Sequence, residues 1–221
     1  MPIDSDLTRC RDVTHAIDQV LHTTTSIGVP YAVRFATLAA VIASQNEGKQ
    51  GAGLTGGQQQ ESLFRDMLTR TDRRFTETAP AEAPDADYYF DGFPLSHKTI
   101  GYNGTGDLAL AWSKNGEGVR RDQFVSSMVI LSVRNPAKAG ALKSQPQGVF
   151  VIPAAFLSGS VVFASNNKTD SLIKARYIAA AMNYSREHDL FVPIAYNPGA
   201  GHGVRISIWE SGASPIIPPL P

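Results

Sequence analysis

The chain predicts an α/β (α+β) fold: one mixed β-sheet flanked by helices. Helical periodicity fills its first third, and strand-length apolar runs fill the middle. A last amphipathic stretch then leads into two closing strands. Helices, then a run of strands, then a helix and more strands is the order a helix-covered mixed sheet produces. With 221 residues, 43% of them hydrophobic, the chain suits a single domain, 1–221, with a sizeable core.

The elements follow in order. Residues 4–22 read as an amphipathic helix capped by Asp4 or Ser5, with Leu7, Cys10, Val13, Ile17, Val20 and Leu21 on one stripe. Pro30 suits the first turn of a second helix reaching about Ser44, apolar on most sides and so buried. "EGKQGAGLTGG" (47–57) reads as a glycine-rich loop; it lacks a Gly-Lys-Ser/Thr ending and no strand precedes it, which argues against a phosphate cradle. A third helix is expected over 58–74, with Leu63, Phe64, Met67 and Leu68 inward, followed by a proline-broken connector at 76–86. Strands are expected at 87–90, 93–100, 107–113, 124–134, 148–152 and 160–164. A helix over 165–188 is entered through Thr169 or Asp170, and strands at 190–196 and 203–210 close the domain.

Composition excludes several classes. Twenty basic and twenty acidic side chains balance, without the basic excess of a protein that binds nucleic acid over its whole surface. A balanced chain can still carry a basic cleft. One cysteine, Cys10, rules out an internal disulfide framework and a cysteine-rich zinc site; its place on an apolar stripe makes it a core residue. The five histidines (15, 22, 97, 188 and 202) show no metal-binding spacing on one element, and no Gly-x-Ser-x-Gly elbow is present. The longest apolar run, about Phe35 to Ala43, is too short for a membrane span, and the first residues lack a basic-then-apolar signal pattern. A cytoplasmic location, with no membrane partner, is the expectation.

The stretch "DYYFDGFPLSHKT" (87–99) concentrates the chemistry. Asp91-Gly92 is a two-residue hairpin signal, and it sets Phe90 opposite Phe93, Asp87 opposite Ser96 and Asp85 opposite Lys98. Opposed residues share a face, so Asp85, Asp87, Ser96 and Lys98 gather on one side while His97 turns to the other, where packing is the default. Carboxylates and a lysine converging on a sheet suit a divalent cation and a phosphate or water beside it. The alternative is a solvated ladder with a cross-strand ion pair. Glu61, three and seven residues before Phe64 and Leu68, borders the apolar stripe of the third helix and points toward the sheet margin; as a first-turn glutamate it would otherwise serve the helix dipole. The next strand, "GDLALAWSKN", opens on Asp107 and ends at Lys114, which fits a strand-end charge reaching solvent.

A helix with a glutamate, an aspartate in or before a hairpin, and a lysine shortly beyond it resemble the PD-(D/E)xK nuclease core found in most type II restriction endonucleases. "PLSHKT" and "DLALAWSKN" also resemble sequence blocks of restriction enzymes, so that the likeness covers about residues 58–134. It implies a restriction-endonuclease-like core in which acidic residues hold Mg2+ and a lysine assists the water attacking a DNA phosphodiester. Lys98 matches the family's lysine. Ser96 falls where Asp or Glu is usual, a departure that would give Glu61 the missing carboxylate's work. Asp87, by hairpin geometry, or Asp91, in its "DG" pair, would be the metal-binding aspartate, with Asp85 and Asp107 also open. A second register, pairing Asp91 with Lys114 across a 93–114 hairpin, puts Trp112 on the acidic position, which argues against it.

The same resemblance divides the chain into a helical part (1–57), a catalytic core (58–134) and a part that reads DNA and completes the sheet (135–221). "SNNKTD" (165–170) offers Asn166, Asn167, Lys168 and Thr169 to phosphates and base edges at a helix start, or is an ordinary capped helix start. Arg65, Arg70, Arg73 and Arg74 make the outer side of the third helix basic. The expectation is a magnesium-dependent, site-specific endonuclease of double-stranded DNA, homodimeric because two-fold sites suit two-fold proteins. The alternative is a non-catalytic β-rich binding or structural protein, of virion or carbohydrate-binding type, which would explain the neutral charge and the polar sheet face.

Overall fold

The computed structural model describes residues 3–45, 52–77, 86–100, 108–111, 126–132, 146–160, 163–166, 170–173, 175–194, 197–198 and 204–205. Three helices lead: α1 (Ile3–His22), α2 (Tyr31–Gln45) and α3 (Ala52–Thr71). Strands β1 (Phe75–Thr76), β2 (Tyr88–Phe90), β3 (Phe93–Ile100), β4 (Leu108–Ala111), β5 (Ser127–Ser132) and β6 (Gly148–Ile152) follow. Then come α4 (Ala154–Ser160), β7 (Phe163–Asn166), β8 (Asp170–Ile173), α5 (Ala175–Glu187), β9 (Phe191–Pro193), β10 (Asn197–Pro198) and β11 (Val204–Arg205). The main sheet has six strands in the order β1-β2-β3-β5-β6-β9. Only β3 and β5 run parallel; the other neighbours are antiparallel, so the sheet is mixed as expected.

Helices cover both faces of this sheet, and the central strands are apolar without alternation for that reason. In β5 and β6, Val129, Leu131, Val149 and Val151 meet α1, α2 and α3 through Cys10, Val13, Ile17, Phe35 and Phe64. Met128, Ile130, Phe150 and Ile152 face the other way, onto Leu157 of α4 and Ile178, Ala181 and Met182 of α5. The predicted stripe of α1 is the buried one: Cys10, Val13, Ile17, Val20 and Leu21 lie in the core and Leu7 is packed against it. Burial pushes the Cys10 thiol up to about 12, so it stays protonated and serves as a core residue. Among the described residues no helix is long and apolar enough to cross a membrane.

Several boundaries move. Helix α3 begins at Ala52, not 58, so the second half of the expected glycine-rich loop is helical. Glycine in a helix loses only about 1 kcal/mol against alanine, which packing against α2 offsets: Phe35 and Phe64 meet edge-on at 5.2 Å, and Gln60 donates to the Ala39 carbonyl. The expected 165–188 helix divides into β8 and α5, so Leu172 and Ile173 are strand residues and Ile178, Ala181, Met182 and Ser185 make the buried helical face. The second register, a 93–114 hairpin, which Trp112 argued against, is not formed among the described residues. β4 pairs with β8 in a separate three-stranded sheet, β4-β8-β7, while β5 lies beside β3. The more apolar segment takes the central, doubly covered place, so chain order does not give strand order.

Two backbone conformations fix local geometry. Asp91 and Gly92 have φ of 46° and 76°, the paired positive values of a type I′ turn, as the "DG" signal predicts. At Gly148 a Cβ would lie 2.2 Å from the Val192 carbonyl oxygen, so only glycine lets β9 close against β6 there.

Helix α4 follows Pro153, and its first N–H groups are capped from a distance. Asp6 of α1 accepts the Ala155 N–H at 3.0 Å and the Ser127 hydroxyl at 3.3 Å, while Ser127 accepts the Ala154 N–H at 3.0 Å. Asp6 is therefore buried but supplied with donors, and it ties α1, β5 and α4 together. Asp6→Ala leaves two of these donors unpaired and is expected to destabilise the fold by about 1–3 kcal/mol. Urea unfolding measures this as a lower midpoint at constant slope; an unchanged midpoint would show that the clamp contributes nothing.

Candidate active site at the edge of β3

Strand β2 pairs with β3 only as far as Tyr88 opposite Leu95, with the Asp87 N–H donating to the Leu95 carbonyl at 2.8 Å. Among the described residues no strand continues that pairing, although β3 runs on to Ile100. The N–H groups of His97 and Thr99 project from this uncovered edge. Main-chain donors in a half-buried place must find acceptors, and each finds a carboxylate. Asp87 Oδ2 accepts the His97 N–H at 2.5 Å, and Glu61 Oε1 accepts the Thr99 N–H at 2.8 Å. Around them, Ser96 Oγ donates to Asp87 Oδ2 at 3.3 Å. Lys98 Nζ lies 3.4 Å from the same oxygen and 2.7 Å from the His97 carbonyl.

The structure thus brings together Asp87, Ser96, Lys98 and Glu61, on the hairpin register read from the sequence. Glu61 arrives differently from the expectation. It lies in the middle of α3, not in a first turn, so the helix-dipole role falls away. Asp91 does not join: it sits in the turn, its N–H donating to the Arg74 carbonyl. Lys98 is five residues along β3 from Phe93, a distance of about 17 Å at a strand's rise. Asp85, Asp107, Lys114, Asn167, Lys168 and Thr169 lie outside the described residues. Asn166 ends β7 opposite Asp170, and α5 starts only at Ala175, so no helix start follows "SNNKTD" directly. The basic outer face of α3 also changes. Arg74 pairs with Asp72, Arg70 lies 3.9 Å from Asp66, and Arg65 lies 3.0 Å from Glu77.

Burial pushes the Glu61 carboxyl above its usual range, against the pull of Lys98, the Thr99 N–H and Arg65; the Asp87 charge adds to the upward push. A desolvated acid set between a lysine and a second carboxylate is the electrostatic pattern of functional sites. The part-exposed Lys98–Asp87 pair itself contributes at most about 1 kcal/mol to stability. Arg65 is a participant missed in the sequence, where it was assigned outward; its spacing of four from Glu61 was the available signal.

The two carboxylates offer oxygen donors, the kind a hard cation takes. Asp87 Oδ1 and Glu61 Oε2 have no hydrogen bond among the described residues, and both belong to carboxylates already gathered at one edge. No group of three or more His, Cys, Asp or Glu side chains assembles among the described residues. That excludes there the nitrogen- and sulfur-rich sets typical of zinc. Magnesium needs less, since it keeps several waters and binds through one or two carboxylates and the substrate's phosphate.

His97, on the reverse side of β3, is 1% exposed. Its ring meets Phe64 at 5.2 Å and Tyr88 at 6.1 Å, both edge-on, which bears out the packing expectation. Burial, then the Lys98 and Arg65 charges, lower its pKa to about 3.

No protein-family model matches this chain, and no curated protein does. A solved structure described as a restriction endonuclease in complex with substrate DNA aligns with 80% of this chain and 83% of its own, at 15% identity and a TM-score of 0.43.

The neutral His97 makes the fold acid-sensitive. From pH 6.5 downward the unfolded chain takes up a proton at His97, and the folded chain does so only at about pH 3. Stability is therefore lost as pH falls through that window, by up to about 1.4 kcal/mol per pH unit from this group. Urea unfolding between pH 7 and pH 4 should show a shallower pH dependence in His97→Phe than in the wild type; parallel curves would contradict the assignment.

Proposed function

We propose that the chain is a magnesium-dependent endonuclease that hydrolyses phosphodiester bonds of double-stranded DNA at specific sites, in the manner of a type II restriction enzyme, and acts as a homodimer. One observation carries the reading: a carboxylate from α3, a carboxylate and a serine from the β2–β3 hairpin, and a lysine meet at one sheet edge. A solvated hairpin ladder would not draw in Glu61 from 38 residues away, half-buried and raised in pKa. The sequence pattern around Lys98, with its resemblance to the PD-(D/E)xK core, supports DNA as the substrate. The two-fold symmetry of the sites such enzymes cut supports the dimer.

In this mechanism Asp87 and Glu61 would hold the magnesium ion, which would supply polarisation of the phosphate and acidification of water. Ser96 and the His97 N–H both donate to Asp87 Oδ2 and hold the carboxylate in place, so its other oxygen would be left for a cation. Lys98 orients the attacking water and neutralises the charge that develops on the phosphate. The water oxygen bonds to phosphorus and gives up one proton to solvent as the P–O bond to the leaving ester oxygen breaks. That oxygen takes up a proton from solvent, so the step is balanced in protons. Glu61 supplies the charge that Ser96 does not. Burial disfavours its charged form, and a bound cation would favour it.

Lys98→Ala should abolish cleavage of duplex DNA in magnesium while sparing DNA binding and folding, and Lys98→Met, which keeps most of the stem, should behave alike. Cleavage by either variant at near the wild-type rate removes Lys98 from the mechanism.

Glu61→Gln keeps an oxygen acceptor for Thr99 but loses the charge. It should slow cleavage strongly and raise the magnesium concentration for half-maximal rate, with excess chelator stopping the wild type altogether. Without magnesium the sign reverses for stability. The raised pKa means that ionised Glu61 burdens the folded state above the ordinary carboxylate range. Glu61→Gln should therefore melt no lower than the wild type at neutral pH, the two converging in acid. An unaltered magnesium curve would sink the ligand role.

A further inference from the structure

The two carboxylates of the site come from different elements, and nothing in the hairpin register sets the gap between them. Asp87 belongs to the strand side of the fold, next to Tyr88. Glu61 belongs to α3, three residues before Phe64 and on the same side of that helix. One side chain touches both neighbours: the His97 ring packs edge-on against Phe64 at 67° and against Tyr88 at 74°. Its main chain meanwhile binds the site directly, the N–H on Asp87 and the carbonyl on Lys98 Nζ.

Neither ring nitrogen has a hydrogen bond among the described residues, though the ring is wholly enclosed. A buried polar ring without partners is unfavourable compared with an apolar one of the same shape. Its shape therefore explains its place better than its polarity does. Phe64 also contacts Phe35, so the ring bears on α3 where that helix is backed by α2 and cannot retreat.

We infer that His97 is a positioning residue whose ring, wedged between Phe64 and Tyr88, sets the separation of the Glu61 and Asp87 carboxylates and holds the β3 edge in register with them. This rests on the nuclease reading for its catalytic consequence but not for its structural one. The ring acts by bulk and planarity. Shrinking it lets α3 settle toward β3 and slackens the two hydrogen bonds from Thr99 and His97.

The test compares His97→Ala with His97→Phe, a ring without nitrogens. His97→Ala should cleave DNA about 100-fold more slowly, the scale of loss from ångström misplacement of reacting groups, and should need more magnesium. The main-chain N–H groups of His97 and Thr99 should exchange with deuterium faster than the core of β5. His97→Phe should restore most of the rate and the protection. Where His97→Ala does not fold, His97→Leu, of similar bulk but not planar, takes its place and should lose at least about tenfold. A wild-type rate in His97→Ala, or in His97→Leu where it stands in, would overturn the inference. So would a His97→Phe that keeps the amide protection yet is as slow as His97→Ala, since the nitrogens would then be acting. A wild type that cuts no DNA would end the nuclease reading alone. The exchange measurement would still decide the positioning role, with unchanged protection in His97→Ala counting against it.

Discussion

Strand β3 outruns its partner. β2 stops at Tyr88, and the next outward-facing donors of β3, at His97 and Thr99, need acceptors that no neighbouring strand among the described residues supplies. Asp87 and Glu61 meet that need, and everything else at the site is arranged around them. The lysine comes because a strand alternates faces, setting Lys98 two residues from Ser96, with its amine able to fold back to the His97 carbonyl. The serine comes from the same alternation. The two side chains that cap the edge are also the carboxylates that converge there.

The helices behind the sheet make that edge possible. Glu61 reaches Thr99 only because α3 lies against β3, and α3 lies there because Phe64, Met67 and Leu68 pack into the core with α1 and α2. The long α3, begun in a glycine-rich segment, places Glu61 in the middle of a helix that packing has already fixed. A glutamate so placed is desolvated, which is why its pKa moves up while the partly buried Asp72, hydrogen-bonded to Arg74, moves down. The reverse face of the sheet is simpler. There α4 and α5 bury Met128, Ile130, Phe150 and Ile152, and Asp6 links the two helical layers by capping α4.

A catalytic interpretation and a structural one differ on Ser96. A serine instead of a carboxylate lowers the charge the hairpin offers a cation, and it also removes a repulsion from Asp87, to which it donates. The second carboxylate comes from outside the hairpin, Glu61 of α3, and meets a different main-chain N–H from the one Asp87 takes. Even so, burial and the Asp87 charge both push the Glu61 carboxyl up, so its ionised form is disfavoured there.

Much of this was legible in the residues themselves. The Asp91-Gly92 pair determines a type I′ turn, because both positions accept positive φ. That turn determines that Phe90 faces Phe93 and that Asp87, Ser96 and Lys98 share a side. The stripe of α1 is equally local, a matter of 3.6-residue periodicity. What tertiary structure decided is longer in range. Nothing local to residues 93–114 says that β5 displaces β4 from the side of β3, since that outcome compares the burial available to distant segments. Nothing local to 165–173 says strand, since Leu172 and Ile173 suit a helix until β4 and β7 pair with them. The role of Asp91 was misplaced because a turn signal identifies a bend without saying what lies beside it. Glu61 was found by its position at the border of an apolar stripe, but its partner was a main-chain N–H, a group every residue has. Side-chain pattern determines which faces come together; which backbone donors are left uncovered there depends on where each neighbouring strand ends.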